Sequence, residues 1–296
     1  MMRVNKYLVF MVLLSLAGRW CRAQTKVEVI TKTVEKSFAY QSGYSLQVDG
    51  KSAKIDIKGW KGTGIKVVMK LISKGLNAEV AKKELEYQKY AMDEINKSIV
   101  IRNYLLLPRN LDELSTIQES EIQVYVPKNV KLEVKNAFGE THLGQITGEV
   151  SLENEYGDIF ITGLAGPCRI QSFFGDLKLV MSSGTLTLNI SHTETNILGF
   201  SGSARITTNL GNVSIQNLGE VSSIRIDGQK ADIDLQVSDI HQYSWNVRSK
   251  YGQIEAPADM TKELKSIKNA KLEYGDQALP NIQITTDFGS VEIVER

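Results

Sequence analysis

Along most of this chain, apolar residues fall at every second position in short runs, separated by turn residues, and the alternation recurs at a fixed interval. The phrase Ala137-Phe138-Gly139-Glu140 returns as Glu155-Tyr156-Gly157-Asp158 and as Phe173-Phe174-Gly175-Asp176. It comes back as Asn209-Leu210-Gly211-Asn212, Lys250-Tyr251-Gly252-Gln253 and Asp287-Phe288-Gly289-Ser290. Glycines 139, 157 and 175 stand 18 residues apart, and Gly211 lies 36 residues beyond Gly175. The flanks keep the same frame. Seven and five residues before the glycines stand Leu132/Val134, Val150/Leu152, Cys168/Ile170, Ala204/Ile206, Trp245/Val247 and Ile282/Ile284. Two and four residues after them stand Ile159/Ile161, Leu177/Leu179, Val213/Ile215, Ile254/Ala256 and Val291/Ile293, with a weaker Thr141/Leu143. Two further repeats lack the glycine and centre on Thr193 and Ala231.

Alternation of this kind turns one face of a strand inward. A single repeat cannot bury that face, whereas stacked repeats share a continuous core. The pattern therefore predicts an all-β chain, a parallel β-solenoid of about 18-residue, two-strand rungs. A β-sandwich or propeller, the rival folds, would show hairpin turns or longer blades instead. Leu46/Val48 and Ile55/Ile57 extend the frame toward the N-terminus, and Ile65 to Leu71 alternates again. The texture then changes. Asn77 to Ser98 reads as one inserted amphipathic helix, with Asn77 as cap, Ala81, Leu85, Met92 and Ile95 as its stripe, and Glu79–Lys83 and Asp93–Lys97 as supporting pairs. Pro108 to Glu119 reads as a polar loop before a strand at 121–126, and Asp259 to Ala278 as a helix or long loop. The expected organisation is a leader at 1–23, a solenoid start with the inserted helix at 24–130, and solenoid repeats at 131–296.

The leader has a positive start (Arg3, Lys6), an uncharged run from Tyr7 to Gly18, and small residues at Cys21 and Ala23. That is the pattern of a cleaved signal peptide, with cleavage after Ala23, and the run is too short to span a bilayer. Acylation of Cys21 is the weaker alternative, because Trp20 stands where a small residue is wanted. The full chain has 35 basic and 34 acidic residues; the leader holds four of the basic ones, leaving 31 minus 34, or −3. A weakly acidic body carries no footprint for nucleic acid, and no later apolar run is long enough to span a membrane. Cys168 is then the one remaining cysteine, so no internal disulfide is expected.

The order of these features carries a resemblance. A signal peptide is followed by a strand pair ending Ile55-Asp56-Ile57-Lys58-Gly59-Trp60. An edge strand and a helix come next, then Val126-Pro127-Lys128-Asn129-Val130-Lys131-Leu132-Glu133-Val134 leading into Gly-Asp rungs. The chain resembles the putative-adhesin family of domain-of-unknown-function proteins in bacterial cell envelopes, over about residues 27–296. The resemblance implies a β-solenoid, export, and an adhesive or scaffolding role. It brings no defined active site.

Two ladders are the candidate chemistry. Glu140, Asp158 and Asp176, with Asn212, recur at one turn position and could line up oxygen ligands for Ca²⁺, but a calcium-binding nonapeptide pattern is absent. Acids after glycine are ordinary turn residues, and that reading is preferred. No metal or cofactor site is expected. Phe138, Tyr156, Phe174, Leu210, Tyr251 and Phe288 form the second ladder. Packed inward, it is a core or corner stack, the preferred reading; exposed, it is an interaction face for a glycan or protein. Cys168 takes a core position, and His142, His192 and His241 lie on turns or outward positions. The triplets at Asn96, Asn189 and Asn212 match the glycosylation pattern, which matters only in a eukaryotic secretory setting.

No convergent catalytic cluster stands out, so the expected function is a non-catalytic, exported, adhesin-like binding or scaffolding module of the envelope. The alternatives are an accessory envelope-stress or structural protein without a ligand of its own and, less favoured, a polysaccharide-active β-helix enzyme.

Overall fold

A computed structural model describes residues 26–109, 111, 113–261 and 269–296, so the leader expected at 1–23, Cys21 included, lies outside the described residues. The chain is all-β, as the alternation predicts. In its middle, first strands pair in parallel, Leu132 with Val150 and Val150 with Cys168. Second strands do the same, Thr141 with Ile159 and Ile159 with Leu177. Both series advance by the 18 residues read from the sequence. The frame residues seven and five before, and two and four after, each glycine point into the shared core; Leu152, Ile161, Ile170 and Leu179 are all fully buried. Between Gly202 and Ser203 the register slips. Beyond it the interval is 20, Ala204 pairing with Ile224 and Val213 with Ile233.

At both ends the order is mixed rather than parallel throughout, which corrects the expectation of a purely parallel stack. The strands Ser45–Lys51 and Ala53–Trp60 stack beside Lys131–Ala137 and Thr141–Gly144. Outside them, the long strand Gly64–Gly75 pairs antiparallel with both Glu28–Ala39 and Ile117–Pro127. At the other end, Asn281–Asp287 and Val291–Glu295 stack on Val221–Gln229 and Ile233–Val237, and the earlier strand Ser244–Lys250 lies beyond them. Asn269–Tyr274 closes that side antiparallel. The physical reason is that a parallel stack would otherwise end on a row of unpaired N–H and C=O groups. The outer strand Glu28–Ala39 carries Glu28, Lys32, Glu35 and Lys36, charges that discourage pairing with another chain.

Three local expectations change. The helix runs only from Ala78 to Leu85, with the Asn77 side chain accepting from the backbone N–H of Glu79 and Val80 at 2.9 and 3.2 Å and with Ala81 and Leu85 buried. Met92 and Ile95 belong instead to the strand Gln88–Ile95, which forms a hairpin with Ser98–Leu105. Gln88 and Met92 point inward on a period of two, and Asn96 and Lys97 take positive φ (51° and 65°), the twist that favours a two-residue hairpin. The pair Asp93–Lys97 is therefore not helical. Second, the loop expected to run to Glu119 gives way to strand at Ile117. Third, the segment 259–278 contains the short helix Ala258–Thr261 and the strand Asn269–Tyr274, with 262–268 outside the described residues.

The helix is tied to the sheet through Glu84, which is buried and accepts from the Ser115 and Thr116 N–H groups (both 3.0 Å) and the Thr116 hydroxyl (2.6 Å). Burial pushes its carboxyl up, but the hydrogen bonds from Thr116 and Ser115 outweigh that and hold it below the usual carboxylate range. A lowered folded-state pKa adds stability above the unfolded-state value and loses it as pH falls through the folded-state value. Glu84→Gln should therefore lower the melting temperature near neutral pH and flatten its decline on acidification; thermal melts across pH check this.

The rung glycines answer a close approach between neighbouring rungs. A Cβ on Gly157 would overlap the carbonyl of Gly139, whereas one on Gly144 would make an ordinary contact with Thr162. Gly157→Ala is expected to cost about 1–3 kcal/mol in denaturant unfolding, and Gly144→Ala less than about 0.5 kcal/mol.

Candidate interaction face

The residue before each rung glycine, or its equivalent, sits at one corner of the stack. Following the strand pairing, this column reads Ser52, Phe138, Tyr156, Phe174, His192, Leu210, Lys230, Phe288, Tyr251. All nine adopt positive φ, between 50° and 64°. For a residue with a Cβ, that left-handed conformation costs roughly 1–2 kcal/mol.

The side chains of the column leave the core. Phe138, Tyr156, Tyr251 and Phe288 are 56%, 48%, 58% and 58% exposed, and Phe174 and Leu210 are exposed too. The rings pack on one another instead. Phe138 stacks on Tyr156 at 5.1 Å and 4°, and Tyr156 on Phe174 at 5.2 Å and 12°. His192 follows at 4.4 Å from Phe174. At the far end Tyr251 stacks on Phe288 at 4.8 Å, with the Lys250 ammonium 5.3 Å from the Tyr251 centroid. Leu210 and Lys230 separate the two groups. The sequence-level ladder is thus a corner stack and is also open to solvent, two properties the sequence reading had set against each other.

Beneath the rings lies a second column that the alternation did not bring out. Three residues before the glycines stand Asn136, Asn154, Ser172, Thr208, Thr286 and Ser249, all buried. Five of the six side chains donate to carbonyls of the turns, while the Ser172 hydroxyl accepts from that of Thr193 (3.4 Å). Asn136 reaches the carbonyls of Ala53 (2.9 Å) and Gly139 (3.0 Å), and Asn154 that of Gly157 (2.6 Å). Thr208 donates to Gly211 (3.1 Å), Thr286 to Ala231 (3.1 Å) and Ser249 to Gly289 (2.8 Å). The signal was present as a polar residue at constant spacing on the otherwise apolar inward face of the strand.

The turn acids link rung to rung. Asp158 accepts the N–H of Asp176 (2.9 Å), Asn212 that of Asp232 (3.0 Å), and Asp232 that of Ser290 (2.7 Å). Glu140 is paired with Lys54 (2.8 Å) and lies 3.3 Å from His142. The Lys54 hydrogen bond holds the Glu140 carboxyl below its usual range. His241 meets the Tyr274 hydroxyl at 2.7 Å. Cys168 is buried, and that burial pushes its thiol up to about 12, far from the thiolate a nucleophile requires. Among the described residues no group of three or more His, Cys, Asp and Glu side chains is placed to hold a metal.

The family model Toastrack DUF4097 matches residues 22–294. Among solved structures, a putative adhesin from Bacteroides fragilis is similar at 11% identity and a TM-score of 0.46, covering 89% of this chain and 97% of its own. A putative adhesin from Parabacteroides distasonis gives 9% identity and 0.41 over 89% and 97%. A putative lipid binding protein from the same species gives 10% and 0.40 over 90% and 97%. No curated protein matches the chain.

The balance between strain and stacking can be measured at Tyr156. Tyr156→Ala removes three ring contacts, with Phe138, Phe173 and Phe174, and keeps the strained backbone, for an expected loss of about 1.5–4 kcal/mol. Tyr156→Gly removes the same contacts but relieves a left-handed cost of about 1 kcal/mol, so it should unfold at a higher denaturant concentration than the alanine variant.

Proposed function

The chain belongs to the Toastrack DUF4097 family, and from that premise we propose that it is a non-catalytic, exported module of the bacterial cell envelope. We read the middle of the chain as a solenoid of two-strand rungs that binds or scaffolds through the aromatic corner: Phe138, Tyr156 and Phe174, with Phe288 and Tyr251 beyond. The leader pattern at 1–23 supports export. No helix among the described residues is long and apolar enough to cross a membrane.

One contrast carries the reading. A second corner, after the second strand of each rung, makes the same left-handed demand at Gln145, Gly163, Met181, Gly199 and Asn217. There the demand is met by two glycines and three side chains without rings, glycine being the residue that takes this conformation at least cost. Backbone geometry alone thus calls for no aromatic residue. Rings at the first corner keep the strain and leave apolar surface in water, and exposed apolar patches mark interaction sites.

The test compares wild type with the double variant Tyr156→Glu/Phe174→Glu in co-sedimentation with a bacterial envelope fraction, circular dichroism confirming the fold of both. Wild type should sediment saturably, and the double variant about tenfold more weakly or worse. Equal sedimentation of the two would remove the corner as the contact site.

A further inference from the structure

Beside the aromatic corner, the outer face of the first strands carries a shallow groove of about 350 Å³, within the size range of small-ligand sites. Its lining includes Glu155, Gln171, Phe173, Asn189, Ser191 and Asn209. Gln171 and Asn189 hold the same position on successive rungs of the run Cys168–Asn209, and Asn209 stands on the third rung two residues further along the strand, in the position of Phe173; none of the three side chains has a protein partner among the described residues. Phe173 departs from the stacked column. Its plane is turned 85° from Tyr156 and 75° from both Phe174 and His192, so no other ring lies flat against it. Phe138, Tyr156 and Phe174 by contrast lie nearly parallel to each other and present their edges.

We propose that this groove binds a neutral, extended glycan, with Phe173 as the stacking platform and the amides of Gln171, Asn189 and Asn209 as hydroxyl readers. The inference rests on the reading of the chain as a binding module and gives that module a ligand class. Free amides offer both donors and acceptors, which is what a sugar hydroxyl requires. Rungs follow one another at about 4.8 Å, close to the advance of one residue in an extended β-linked glycan. An extended peptide repeats its same-face side chains at about 6.8 Å and would fall out of step within two rungs. Charge selects further. No Lys or Arg lines the groove, Glu153 is engaged by Lys135 at 3.0 Å, and Glu155 in the lining has no basic partner among the described residues. A polyanionic glycan is repelled there.

Titration calorimetry with cellohexaose, chitohexaose and mannohexaose, and with hexagalacturonate as the anionic counterpart, tests this. At least one neutral hexaose should bind saturably, hexagalacturonate should not, and Phe173→Ala or Asn189→Ala should each weaken binding about tenfold. Both residues are exposed, so these variants should fold, and circular dichroism checks that they do. No binding to any neutral hexaose, or binding unchanged in both variants, overturns the groove. Envelope sedimentation separates the two readings. If it is lost in Tyr156→Glu/Phe174→Glu and the hexaoses still fail, the groove falls and the corner stands. If a hexaose binds and that double variant sediments as wild type, the corner falls and the groove stands.

Discussion

Everything in this fold depends on one repeated backbone event, a left-handed residue at the corner where the first strand of a rung gives way to the second. Nine residues from Ser52 to Tyr251 in stacking order take that conformation. The event sets three demands on the sequence. The turn carbonyls that face the interior need donors, because a buried acceptor without one costs about 1–3 kcal/mol. Asn136, Asn154, Thr208, Thr286 and Ser249 supply them. The residue after the left-handed one lies against the backbone of the preceding rung in the stack, and glycine fits there. The left-handed side chain itself is thrown outward, so whatever occupies it becomes surface. Core, turn and surface chemistry are thus set by one dihedral angle, repeated.

The ends of the stack solve a different problem with different chemistry. A parallel ladder has no natural stop, and both ends here are finished by antiparallel strands. The N-terminal finish is the more elaborate. It combines the charged strand Glu28–Ala39, the hairpin around Asn96-Lys97 and the helix anchored by Glu84. Glu84 accepts from backbone N–H groups just ahead of the strand Ile117–Pro127, which brings helix and strand together through one carboxylate.

What could be read from the sequence was whatever repeats. Period-two burial fixed the frame, the placement of Cys168 inside the core, and the turn role of Asp158. What could not be read was whatever occurs once. Residues 77–98 offer helical and strand spacings together, and the cap at Asn77 favours helix only until Gln88, where tertiary pairing with Ser98–Leu105 prevails. The return of Asn281–Glu295 to a position inside the order of the stack has no local signature, since each rung offers the same edges to any other. The aromatic positions were legible as a ladder, but their exposure follows from the sign of φ, and sequence spacing carries no sign. Phe173 was hidden for a related reason. It occupies an outward strand position filled by Glu155, Ser191 and Asn209 elsewhere, so nothing in the repeat marked it out.

The displaced rung at the C-terminal end has a consequence for how the chain reaches its native state. The strand Ser244–Lys250 finds its parallel neighbour only in Asn281–Asp287, more than thirty residues later in synthesis. Earlier repeats can add one after another as the chain emerges, each resting on its predecessor. This one must wait, holding Trp245 and Val247 uncovered until the final segment slides in between. Such a non-local closure is slow and leaves an adhesive intermediate while it lasts. Arrival of residues 281–295 thereby becomes the step that seals this end of the stack, and a product cut short before residue 281 would leave the Trp245 rung without its parallel support.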